Sequence, residues 1–275
     1  MVRDDNDWSG LDHHLYDPEY AREKGEFFLK WARRYLRYSV SGWEHVPDGP
    51  VLVVGNHNGG AFPVDPYLIM FAWNEHFAYV RPLRGFAHDL LFKIRPFARF
   101  MCKVGAVRAD PGVARAVLDE GGCGLVFPGG SEEAFRPFRM RYHVDFLDRT
   151  GFARLAIRTG ATIIPAAFIG GHETFIVLSD GRRLAQKLHT HRFLRVSTFP
   201  LVFSIPWGIT SGYIPYFPLP AKVHVELGEP ITFPEYGPED AADPAAMRRC
   251  ADVIYARVQQ LLTRLAGERR FPILG

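Results

Sequence analysis

Hydrophobic positions along the chain follow two rhythms, one helical and one extended, that alternate from about residue 19 to residue 267. Over Glu19 to Tyr38 the rhythm is helical. At 100° per residue Tyr20, Phe27, Phe28, Trp31, Tyr35 and Tyr38 share one side, interrupted by Lys24. Arg22, Lys30, Arg33, Arg34 and Arg37 share the other, with Glu23 and Glu26. Such a helix either lies in a membrane interface, rings in the headgroup zone and cations on anionic lipid, or packs its aromatic stripe on the domain.

Extended runs at 38–44, 50–55, 77–81, 122–127, 162–169 and 222–228 then alternate with helical stretches near 64–73, 86–100, 111–120, 149–159 and 241–267. Alternation of this kind predicts an α/β fold, a mixed and largely parallel sheet flanked by helices. The expected organisation is a polar, mobile arm over 1–18, a basic amphipathic helix over 19–38 and a single α/β domain over 39–275. Residues 196–221 carry no charged side chain, but prolines at 200, 206, 215, 218 and 220 exclude a continuous spanning helix. That segment either lines an apolar tunnel, dips into one leaflet, or crosses the core.

Composition changes this picture little. The hydrophobic share of 47% and charged share of 23% are those of a folded soluble chain, while 22 Phe, 11 Tyr and 5 Trp form a heavy aromatic load suited to an apolar ligand or a membrane interface. A net charge of +3 makes no case for nucleic acid. Cys102, Cys123 and Cys250 are odd in number and widely spaced, so neither a disulfide framework nor a zinc site is expected, and the compartment is a reducing one. The polar, acidic N-terminal stretch lacks a signal-peptide core, and the expected location is cytoplasmic, peripherally bound to membrane.

Candidate chemistry centres on VLVVGNHNGGAFPVD, residues 51–65, where an apolar strand ends in Asn-His-Asn-Gly-Gly. His57 thus stands where a rigidly held strand meets a turn, a placement that suits catalysis and equally a plain turn histidine. Three later segments share this character. KVGAVRAD puts Arg108 after a small-residue strand end, FPGGSEEA follows a strand with Pro128, Gly129 and Gly130 and then two carboxylates, and IIPAA contains Pro165. In this order the four blocks resemble those of the glycerolipid acyltransferase family: Asn-His-x4-Asp, Gly-x-x-Phe-x-x-Arg, Phe-Pro-Glu-Gly-Thr and an apolar-Pro segment. The resemblance covers roughly residues 40–230. Two departures stand out. Seven residues rather than four separate His57 from Asp65, with Phe62 at the family's aspartate position, and Gly129 replaces the glutamate of the third block. Pro-Gly-Gly-x-x-Glu is closer to the diacylglycerol acyltransferase branch.

The resemblance implies transfer of a fatty acyl group from acyl-CoA, or from an acyl carrier protein, to a glycerolipid hydroxyl, with acyl-CoA as co-substrate and no cofactor or metal. A lipid hydroxyl attacking a thioester needs a neutral imidazole to take its proton, and His57 is the histidine so placed. A carboxylate on the other ring nitrogen would fix the tautomer, Asp65 being the first candidate and Glu133 the second. Backbone N–H groups around Asn58, Gly59 and Gly60, or at Gly129 and Gly130, suit the developing oxyanion. Asn56, Pro128 and Pro165 complete the expected substrate-contacting set. Arg108, and also Arg136 or Arg139, can hold a phosphate, although a solvated basic face accounts for the last two as well. A serine hydrolase elbow, Gly-x-Ser-x-Gly, is not matched by GGSEE, and GNHNGG has the wrong spacing for a dinucleotide loop. The rival from another class is a noncatalytic lipid-binding protein on the same fold.

Overall fold

A computed structural model describes residues 7–60, 63–181, 187 and 199–271. Among the described residues the strands are β1 Ser39–Ser41, β2 Val51–Gly55, β3 Leu83–Ala87, β4 Ala106–Arg108, β5 Cys123–Val126, β6 Thr162–Ile169, β7 Ile176–Ser179, β8 Leu201–Ser204, β9 Gly208–Ser211 and β10 His224–Leu227. The α-helices are α1 Pro18–Tyr35, α2 Asp65–His76, α3 Arg95–Lys103, α4 Pro111–Asp119, α5 Gly130–Ala134, α6 Gly151–Thr159, α7 Gly171–Thr174 and α8 Pro244–Glu268.

Seven strands form one sheet in the order β1-β10-β6-β2-β5-β3-β4. Strands β2 to β6 run parallel, β10 is antiparallel to β6, and β1 lies parallel to β10. This is the mixed, largely parallel α/β sheet expected from the alternation. Alternate residues of the central strand divide the core: Val51 and Val53 face α1, α2 and α3, whereas Leu52 and Val54 face α4, α6 and α8. All five β2 residues are buried, so the apolar run VLVVG is dictated by cover on both faces. Three further strands, β7-β8-β9, make a separate antiparallel sheet.

Proline and acidic caps set several helix starts. Asp17, Asp110 and Asp243 accept backbone N–H groups at the heads of α1, α4 and α8, each followed by proline in the first turn. Helix α1 buries Ala21, Gly25, Leu29 and Ala32, a small-residue stripe that brings it close to α2. Its aromatic side is also engaged: Phe28 packs edge-on against Phe71 and Tyr67, and Trp31 and Tyr35 meet Phe217. Phe27 stands apart at 79% exposure.

The sequence reading needs correction at three places. Residues 77–80 are a turn, with Ala78 and Tyr79 at positive φ; the strand begins only after Pro82, where Asn74 Oδ1 accepts Leu83 N–H. The stretch read as helical over 86–100 starts inside β3, and its helix forms only from Arg95, where Pro96 suits the first turn. The arm is held, not free, over residues 7–17. Trp8 is buried, Gly10 C=O accepts Arg108 N–H along the edge strand β4, and Asp17 pairs with Lys103 at 2.8 Å. The cysteines are free and buried.

Candidate active site

Parallel strands β6, β2 and β5 end side by side, and the loops leaving β2 and β5 meet over their C-terminal edge. The β2 loop is bolted to β6 by two asparagines. Asn56 Oδ1 accepts Phe168 N–H at 2.8 Å and its Nδ2 donates to Phe168 C=O at 2.9 Å, extending the ladder by one side chain. Asn58 Nδ2 donates to the same carbonyl. Both are buried, so these bonds satisfy amides that would otherwise be costly to enclose.

Between them His57 projects toward α2. Its Nδ1 lies 3.1 Å from Asp65 Oδ2, and that oxygen also accepts Asn58 N–H at 2.9 Å. Asp65 is 1% exposed and is the first residue of α2, where the helix dipole favours a carboxylate. A carboxylate can only accept, so Nδ1 carries the proton and Nε2 presents a lone pair. Nε2 has no hydrogen-bond partner among the described residues. The ring lies flat on Phe127, centroids 4.5 Å apart and planes 16° apart. Gly59 and Gly60, both at positive φ, turn the chain so that a seven-residue gap still closes on the histidine.

Glu133 approaches from the other loop, on the backbone side. Its Oε2 accepts His57 N–H at 3.0 Å, while Oε1 accepts Asp145 N–H and Arg136 Nη1. Three donors converge on it. Burial pushes the Glu133 carboxyl up, and Arg136 with the two backbone donors pulls it back down. Arg136 is 3% exposed and its Nη2 also donates to Asn58 Oδ1 and His172 Nε2. Burial, then the Arg136 charge, holds the His172 imidazole well below the ordinary histidine range, so it is neutral and accepts at Nε2. One buried arginine thus ties both loops and α7 together.

A profile of the family described as Acyltransferase matches residues 37–169, a stretch containing all four blocks. An uncharacterized protein of Mycobacterium tuberculosis is 32% identical over 270 residues, 96% of this chain and 72% of that one. The chain belongs to the acyltransferase family. It is also similar, at 29% identity over 224 residues, to the DGAT1/2-independent enzyme synthesizing storage lipids of Bos taurus, covering 81% of this chain and 59% of that one. Among solved structures the fold matches the 1-acyl-sn-glycerophosphate (LPA) acyltransferase PlsC from Thermotoga maritima, with a TM-score of 0.53 at 19% identity, over 92% of this chain and 82% of that one. The glycerolipid acyltransferase resemblance carried by the four blocks is thereby borne out.

On this acyltransferase fold the expected site residues separate. His57, Asp65, Glu133, Asn56, Asn58, Gly59, Gly60, Pro128, Gly129 and Gly130 gather at the ends of β2 and β5. Arg108 ends β4 on the same sheet edge, three strands from β2, or about 14 Å at ordinary strand spacing, with its guanidinium 3.8 Å from Asp89. Pro165 does not join them: it is buried within β6 opposite Val54 and packs near Gly228, a core position. Arg136, read as a phosphate ligand or a solvated cation, is neither, because Glu133 and Asn58 hold it inside; Arg139 is exposed. Of the proposed backbone donors, Asn58 N–H is taken by Asp65, Gly60 N–H by Ala134 and Gly130 N–H by Phe127. Gly59 and Gly129 N–H have no backbone acceptor among the described residues.

Gly129 explains the missing glutamate of the third block. A Cβ there would sit 2.5 Å from Glu133 Oε2, so the carboxylate that packs at this point comes from one helical turn later. Phe127 and Arg136 are the contacts that sequence reading missed. The phenylalanine opens the Phe-Pro-Gly-Gly block and was visible there as a motif residue, but nothing in the spacing signals that its ring lies on His57. Elsewhere, His13 and His14 converge on Glu120 with ligand atoms within 4.8 Å of one another, before the start of β5 and so at the opposite end of the sheet from His57. The His13–Glu120 hydrogen bond at 2.9 Å accounts for that contact.

Proposed function

We propose that this acyltransferase moves a fatty acyl group from acyl-CoA, or from an acyl carrier protein, to the hydroxyl of a glycerolipid, with His57 as general base. The observation that carries the reading is the His57–Asp65 pair, Nδ1 held by a buried carboxylate and Nε2 left open. In the first step Nε2 takes the proton of the acceptor hydroxyl while its oxygen bonds to the thioester carbonyl carbon. Negative charge moves to the carbonyl oxygen, for which the uncommitted N–H groups of Gly59 and Gly129 are the nearby donors. The carbon–sulfur bond then breaks, and the imidazolium returns its proton to the departing thiolate. Asp65 stabilises the imidazolium between these steps without itself taking the proton. Glu133 acts on the backbone: it fixes His57 N–H and, through Arg136, the side chain of Asn58.

The Pro-Gly-Gly-x-x-Glu block and the storage-lipid synthesis named for the bovine relative favour a neutral acceptor, mono- or diacylglycerol, over a phosphate-bearing one. We further infer a cytoplasmic protein bound peripherally to membrane. No helix among the described residues is long and apolar enough to cross one. The test is incubation with labelled acyl-CoA and a panel of lysophosphatidic acid, lysophospholipid, mono- and diacylglycerol. A labelled neutral glycerolipid is expected. Free fatty acid alone would make the protein a thioesterase, and lipid binding with no turnover would make it a noncatalytic binding protein on this fold.

A further inference from the structure

The three-stranded sheet is apolar on both faces. Val177 and Val202 are paired and point inward onto Phe135 and Phe175. The alternate positions point outward, with Ile176 opposite Phe203 and Phe203 opposite Ile209. In a water-facing antiparallel sheet these outer positions are polar. Here Phe203 and Ile209 are 42% and 65% exposed, and Leu201 and the turn residues Ile205 and Trp207 are exposed beside them. No charged side chain occurs from residue 199 to residue 221.

The patch continues beyond the sheet. Phe217, also exposed, leans edge-on against Tyr35 and Trp31 of α1, at 5.3 and 6.4 Å between centroids. One turn before Trp31 on that helix stands the exposed Phe27. Lys30 and Arg34, both exposed, lie one and two turns beyond Phe27 on the same side of α1, with Glu23, paired to Lys24, one turn before it. Apolar surface rimmed by cations is complementary to an anionic bilayer, where rings and aliphatic side chains enter the interface and cations meet headgroups.

The same segment touches the catalytic loop. Tyr216 donates its hydroxyl proton to Gly59 C=O at 2.6 Å, and its ring stacks on Phe175 at 4.2 Å. Gly59 is two residues beyond His57.

We propose that the outer face of β8 and β9, with Trp207, Phe217 and Phe27, is the surface that enters an anionic lipid bilayer and sets His57 at the level where the acceptor hydroxyl lies. The proposal rests on the reading that the acceptor is a membrane lipid, and binding is measured without any substrate so that the two stand or fall separately.

The experiment is co-sedimentation of the full chain with vesicles of phosphatidylcholine alone and of phosphatidylcholine containing one third phosphatidylglycerol. Phe203→Thr/Ile209→Thr keeps strand-forming side chains at exposed positions, and its melting curve reports on folding. Its vesicle binding should fall about tenfold or more, since two apolar groups leave the interface. Lys30→Glu/Arg34→Glu should weaken binding to the anionic vesicles at low salt and leave the weaker binding to phosphatidylcholine unchanged. Transfer to a short-chain, water-soluble acceptor should survive in both variants while transfer to bilayer acceptor falls with binding. If the folded Thr variant binds vesicles as wild type does, the proposal is overturned. It is equally overturned if wild type ignores vesicles and forms a dimer that Ile209→Glu splits, for the face is then a contact between copies. Vesicle binding that depends on Phe203 and Ile209 in a protein with no acyl transfer would uphold the surface and reject the proposed function.

Discussion

Replacing Arg136 by methionine keeps most of the side-chain volume and removes the cation bonded to Glu133. Both residues are buried, at 3% and 1% exposure, so water does not take the place of the lost partner. Breaking a buried pair from one side costs about 3–5 kcal/mol, because the remaining charge stays desolvated. Three hydrogen bonds vanish with the guanidinium, to Glu133, Asn58 and His172, of which Asn58 Oδ1 retains a long contact from Asn56 at 3.4 Å. Glu133 keeps its two backbone donors, from His57 and Asp145, and burial already raises its carboxyl, so protonation relieves part of the strain. The expected loss is therefore near the lower end, about 3 kcal/mol at neutral pH. Its sign with pH follows. A carboxyl raised in the folded state adds stability below the unfolded value of 4.5 and loses it as pH rises through the folded value, so the deficit of Arg136→Met is larger at pH 8 than at pH 5. Urea unfolding at both pH values measures this, with Arg136→Met/Glu133→Gln as the companion that removes the stranded charge and recovers stability. A loss below about 1 kcal/mol, with the double variant no better than the single, would refute the clamp.

Gly60→Ala should lower the melting temperature well beyond Gly121→Ala. Both sit at positive φ, +70° and +79°, but a Cβ at 60 would meet the buried Phe175 ring, 2.7 Å from Cδ1, whereas nothing lies within 4 Å at 121; equal losses would show that crowding is not what matters there. Wild-type stability should fall as pH drops below about 6.5, because His172 and, less completely buried, His224 are held neutral in the fold and take up protons when it opens. His172→Gln should flatten that fall by up to about 1.4 kcal/mol per pH unit in urea unfolding, and an unchanged slope would remove His172 from the account.

Much of this site was legible in sequence because it lies at the ends of strands whose apolar runs are unambiguous. VLVVG and the 162–169 run read as buried strands, and both loops that meet at the site follow such runs. His57 with Asp65 was legible as chemistry, but not as geometry, since closure across seven residues depends on two glycines at positive φ. What stayed hidden has physical causes. Arg136 stands close to Arg139 and Arg141 in RPFRMR, a pattern that reads as surface; its burial is set by Glu133, Asn58 and His172, the last two far away in sequence. Strand β3 was misplaced because Phe77, Tyr79 and Val80 mimic a strand while Asn74 and the positive-φ pair Ala78 and Tyr79 make a turn. The aromatic stripe of α1 has a divided role, most of it packed on α2 and Phe217, with a buried face of small residues that a hydrophobic pattern does not single out. Removing residues 1–38 would accordingly expose the core under Leu29, Ala32 and Leu36.

The most direct test of the central claim is single-turnover acyl transfer by His57→Ala, folded and pre-loaded with labelled acyl-CoA, against wild type. The account predicts a rate loss of about 10²–10⁴-fold from the missing base, with Asp65→Asn also impaired and Glu133→Gln less so. Transfer by folded His57→Ala at the wild-type rate would contradict it.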